Sequence, residues 1–126
     1  MKRVLFSMVL LMAVSFSFAQ MKNVKEAKSM ANDVKPNFKQ AEQLIKEAMK
    51  NPETKDLADT WDVAGFIQRR INEEQMKNAF LKKPYDTLKV DNSILKMYEY
   101  YNKCDDLAQV PNEKGKIKNK YRKANA

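Results

Sequence analysis

Four prolines, at positions 36, 52, 84 and 111, punctuate a chain whose apolar residues otherwise recur in three- and four-residue steps. Proline removes a backbone donor and clashes with the preceding helical turn. A 3.6-residue period, in turn, writes one apolar stripe on each helix. The two together confine the chain to short amphipathic helices joined by turns. Val24, Ala27, Ala31 and Val34 form a first stripe, ended at Pro36. Asn37, followed three residues later by Gln40, resembles a capping box. Phe38, Ala41, Leu44, Ile45, Ala48 and Met49 then predict a second helix, closed by Asn51 and Pro52.

A third helix is expected to open near Asp56, capped by Thr54 or Asp56. It carries Leu57, Trp61, Ala64, Ile67 and Ile71, with Val63 and Phe66 widening the apolar surface for packing on two sides. Between Asn72 and Asp91 the pattern is least legible: Met76, Ala79 and Phe80 suit an extension, Pro84 breaks it, and Thr87 to Val90 has no clear period. The fourth helix is expected near Ser93, with Ile94, Met97, Tyr98, Tyr101, Cys104 and Ala108 on one face. Val110, Pro111, Asn112 and Gly115 close it. No segment sustains a period of two, so the expected class is all-α with antiparallel neighbouring helices.

Lys2 and Arg3 precede an uncharged, largely apolar run from Val4 to Phe18, and Ser17, Phe18 and Ala19 place small residues at −3 and −1 of a cleavage site. This predicts a signal peptide over 1–19 and an exported protein, periplasmic or secreted. The apolar run is short against the roughly 20 residues that span a bilayer. No Cys follows it that would carry a lipid anchor.

The absence of His and the single Cys remove the usual zinc sites and every His-based triad or dyad. Two glycines cannot furnish a P-loop or a dinucleotide fingerprint. No loop has the alternating acidic pattern of a calcium site. Glu73 with Glu74, and Asp105 with Asp106, are adjacent on helices and point about 100° apart, so neither pair converges on a substrate. The expectation is a protein without enzymatic activity, cofactor or metal. Cys104 is expected to be buried as a small apolar residue. Trp61, Tyr98 and Tyr101 are expected in the core, with Tyr100 exposed.

The formal charge of +8 invites a nucleic-acid reading, but its distribution argues otherwise. From Gln20 to Glu113 there are 16 Lys and Arg against 16 Asp and Glu. The excess lies in Lys2 and Arg3 and in Lys114, Lys116, Lys118, Lys120, Arg122 and Lys123, with no acid in the last 13 residues. The region 20–113 is therefore a neutral helical domain, and 114–126 is a basic tail or the start of a further helix. The tail is the place for anion binding, to membrane phosphates, acidic glycans or nucleic acid.

Ala41, Ile45 and Ala48 have a small, large, small spacing that Met97, Tyr101 and Cys104 repeat loosely, and Trp61 is followed by Ala64 and Gly65. Small side chains at a helix crossing let two axes approach. In these positions the chain resembles the tetratricopeptide repeat (TPR) family, in particular the opening of exported bacterial TPR proteins, over roughly Lys22 to Pro111. It departs at Gln68, where the family has Tyr, and at Met97, where it has Ala. Trp61 and Tyr101 stand 40 residues apart, against a family separation of about 20, which places an insertion at about 72–91. The resemblance implies two helix hairpins, the second elongated, acting as a non-catalytic scaffold. Its groove for a protein or peptide partner would be lined by Asp59, Asp62, Phe66, Arg69 and Arg70. Asp62 stands where carboxylate-clamping members place Lys, so a ligand of mixed charge is expected. A chain ending at Ala126 would leave apolar surface on its last hairpin and would self-associate or take a partner.

Overall fold

A computed structural model describes residues 21–109, 115 and 119–121. The expected signal peptide and most of the basic tail lie outside these residues. All regular structure among them is helical: α1 over 21–31, α2 Phe38–Lys50, α3 Ala58–Phe80 and α4 Thr87–Ala108. None of these helices is long and apolar enough to cross a membrane.

Local chemistry places most of the breaks. Asn37 caps α2 by accepting from the Gln40 backbone N–H at 3.2 Å, and its own amide donates to the Gln40 side-chain oxygen at 3.1 Å. Such a cap stabilises a helix by about 1 kcal/mol. The Asn37 N–H reaches back to the Met30 carbonyl, turning the chain between α1 and α2. Val34 lies in that turn and is 96% exposed, so it is not part of the α1 stripe.

The third helix starts differently from the expectation. Leu57 occupies the N-cap position and makes no capping bond through its side chain. Thr54, fully buried, instead donates its hydroxyl to the Ala48 carbonyl at 2.6 Å and so closes the end of α2. The Trp61 indole N–H donates to the Lys55 carbonyl at 2.6 Å, which ties the preceding turn onto α3.

The stretch 72–91 consists of the end of α3, a turn over 81–86 and the first turn of α4. Lys82 there has φ 55°, and the N–H groups of Lys82 and Lys83 bond to the carbonyls of Ala79 and Asn78. This is a Schellman-type stop with Lys in the left-handed position usually taken by Gly. Asp86 then caps α4 by accepting from the Leu88 and Lys89 N–H groups. The fourth helix therefore begins six residues before Ser93, because the start signal is Asp86 and not the apolar period.

Gly65 against Tyr101, Asn72 against Ser93, and Gln75 against Asp86 fix α3 and α4 as an antiparallel pair. α1 runs parallel to α3, since Lys28 lies over Phe66 and the Ala31 carbonyl accepts from the Arg70 side chain. The core gathers Val24, Ala27 and Ala31 of α1, Ala41, Ile45 and Ala48 of α2, Val63, Ala64, Ile67 and Ile71 of α3, and Tyr100 of α4. Five of these are alanines with no exposed surface, which lets the helix axes come close.

The buried face of α4 is rotated from the one the apolar period suggests. It carries Ser93, Tyr100 and Cys104, while Ile94 and Tyr98 are 51% and 73% exposed. Two polar side chains cause the shift: Asn72 donates to the Ser93 hydroxyl at 3.2 Å, and Ser93 donates to the Val90 carbonyl at 2.8 Å. A mutually satisfied polar pair can be buried at little net cost, so Ser93 turns inward. Tyr100 then meets Trp61, with ring centroids 5.9 Å apart. The expectation of a core Tyr98 and an exposed Tyr100 is thereby reversed.

Candidate functional site

Asp59, Asp62, Phe66 and Arg69 follow one another at three- and four-residue steps along α3, and Arg70 flanks the row. Phe66 is half-buried against the core. Its ring carries two cations, the Lys28 ammonium at 5.5 Å and the Arg69 guanidinium at 5.3 Å from the centroid. Each such contact contributes about 0.5–1 kcal/mol at an exposed site. Arg70 donates through Nε to the Ala31 carbonyl at 3.3 Å and through its terminal nitrogen to Glu73 at 2.8 Å. The guanidinium thus neutralises the C-terminal end of α1 and fastens it beside α3. Glu73 also pairs with Arg69 at 3.7 Å.

The row is less uniform at its N-terminal end. Asp59 accepts from the Tyr121 hydroxyl and lies 3.9 Å from the Lys120 ammonium. Asn119 donates to Asp105 at 2.5 Å. Residues 119–121 therefore lie across the start of α3 and the end of α4. Asp62 is half-buried between these groups and Phe66. Of the six basic residues expected to bind anions, Lys120 is thus placed against Asp59 and over the Tyr121 ring. Lys114, Lys116, Lys118, Arg122 and Lys123 lie outside the described residues.

Sequence reasoning missed two members of this face, Lys28 and Glu73. Lys28 reads as a solvated position on α1, and only the parallel docking of α1 on α3 brings it to Phe66. Glu73 was legible as the partner of Arg69 and Arg70 at i+4 and i+3.

On the opposite side of α3, a recess of about 820 Å³ lies between α2 and α4. Gln68 and Ile71 belong to its floor, and none of the five expected groove residues lines it.

Cys104 has no exposed surface. Desolvation, reinforced by the charges of Asp62, Asp59 and Asp105, pushes its thiol from 9.0 to about 12. Desolvation likewise raises the Tyr101 phenol from 10.0 to about 12, with Arg69 opposing the shift. Burial raises Tyr100 and Tyr121 as well, the latter also through its bond to Asp59. A protonated, enclosed thiol is a poor nucleophile. Among the described residues no group of three Cys, Asp or Glu side chains is arranged to hold a metal ion.

These shifts fix a pH dependence. Each group is an acid that keeps its proton longer in the folded chain than in the unfolded one. Its contribution is therefore full below the ordinary value of 9.0 or 10.0 and is lost as pH rises toward about 12. The urea midpoint should accordingly fall from about pH 9 upward, and an aromatic disulfide reagent should reach Cys104 only after denaturant is added. A midpoint flat to pH 11 on the same scale, or rapid thiol modification of the native protein, would be the contrary result.

Compared with known proteins, the chain matches no family model, no curated protein and no solved structure.

Proposed function

We propose that this protein is a non-catalytic, exported interaction module of the bacterial envelope, built of TPR-like helix hairpins. Its partner-binding face would be the one α1 and α3 make together. The observation that carries this reading is Phe66, an aromatic ring held between Lys28 of α1 and Arg69 of its own helix, α3. A rigid aromatic flanked by fixed charges of both signs suits a peptide or helix of mixed character, because it supplies contact area at small entropic cost and the charges set orientation. The leader-like segment over 1–19 and the repeated small, large, small spacing support the same reading.

A second reading places binding in the basic tail, favoured by six cations and no acid in the last 13 residues. Partner capture by the full chain separates the two. The groove reading expects Phe66→Ala with Arg69→Ala to lower capture by about tenfold or more, whereas deletion of 114–126 should leave it within about twofold. Loss on deletion, mimicked by a few hundred millimolar salt, would instead be the behaviour of exposed charges screened in solution and would transfer the function to the tail.

A further inference from the structure

We propose that the recess between α2 and α4 is a second binding site, for an extended peptide segment rich in acidic side chains. Its volume, about 820 Å³, lies within the roughly 300–1,000 Å³ range of ligand sites. Gln68 forms part of the floor and is 4% exposed, yet its carboxamide makes no hydrogen bond to any described residue. Among the described residues the buried side-chain atoms without a partner are Thr60 Oγ1 and Arg69 Nε, not those of Gln68, so the small exposed part of Gln68 presents its amide to the recess with donor and acceptor both open to a ligand. The group that answers a carboxamide with one donor and one acceptor is a peptide unit.

The surroundings select the peptide. Ile71 lies beside Gln68 as an apolar floor, and the walls carry Lys46 and Lys50 from α2 and Lys89 and Lys96 from α4. None of these four ammonium groups is in an ion pair among the described residues. Over the whole lining five lysines face three glutamates, so the recess has a net positive wall above a neutral floor. An extended chain alternating acidic and apolar residues would set its carboxylates on the lysines, its apolar side chains on Ile71 and its backbone on Gln68. Gln68 and Phe66 project from α3 about 160° apart, so this site stands independently of the Phe66 face.

Fluorescence anisotropy with a labelled peptide of alternating glutamate and leucine, and the full chain as receptor, tests the proposal. Lys46→Gln combined with Lys96→Gln should weaken binding by about tenfold, and Gln68→Leu by about fivefold. Phe66→Ala should leave it unchanged. In the unaltered protein the NMR signal of the Gln68 side-chain amide should move on titration, a readout that needs no variant to fold. Equal binding of the lysine counterpart of the peptide, an unmoved Gln68 amide, or no saturation at millimolar peptide would each overturn the proposal. Full displacement by inorganic tripolyphosphate with no effect of Gln68→Leu would overturn it too, by reducing the recess to a general anion surface.

Discussion

Ile67→Ala is expected to destabilise the protein by about 3 kcal/mol, and Ile94→Ala by less than about 0.5 kcal/mol. Ile67 has no exposed surface and lies among Val63, Ala64 and Ile71 in the cluster that α3 contributes to the core. Removing its outer carbons leaves a cavity that rigid neighbouring helices cannot refill, so the lost transfer energy and the cavity term add. Ile94, which the apolar period would put in the core, is 51% exposed. Urea denaturation followed by circular dichroism measures both. For a domain of this size the Ile67 change corresponds to a fall in Tm on the order of 10 °C. Equal losses at the two positions would mean that α4 packs by the face its apolar pattern suggests and not by the one that buries Ser93 and Tyr100.

Gly65→Ala should also destabilise, by about 1–2 kcal/mol, although in an exposed helix the same change stabilises by about 1 kcal/mol. A Cβ at Gly65 would stand 2.5 Å from Cδ1 and 2.8 Å from Cζ of the Tyr101 ring, well inside contact distance. The ring is half-buried between α3 and α4, so relief requires either an unfavourable rotamer or separation of the two helices. A double-mutant cycle isolates the cause: with Tyr101→Leu already in place, Gly65→Ala should become neutral or stabilising. Stabilisation by Gly65→Ala in the unaltered protein would show a looser α3–α4 contact than the one described.

The parts of the fold legible in the sequence are those governed by neighbours in the chain. Asn37 and Gln40, three residues apart, form the cap their types suggest, and Ala41, Ile45 and Ala48 form the buried face of α2. Cys104 is buried, as its place on an apolar face implies. The features that escaped depend on partners far along the chain. Ser93 reads as a helix start until Asn72, 21 residues away, takes it into the interface. Thr54 reads as a cap for α3 until the end of α2 claims its hydroxyl. The same division runs through the candidate site: the order of Phe66, Arg69 and Arg70 on α3 was readable, whereas Lys28 required the docking of α1. The recess required three helices at once, since its walls and floor come from α2, α3 and α4.

The claim that the α1–α3 face receives a protein partner is tested most directly by photocrosslinking in the cells that naturally produce the protein. Benzoylphenylalanine would be placed at position 66 and, as a control, at the exposed Asn102 of α4. A discrete adduct from position 66, absent from 102 and weakened by Arg69→Ala, is the predicted result. Equal adducts from both positions, or none from position 66 while the folded protein accumulates normally, would contradict it.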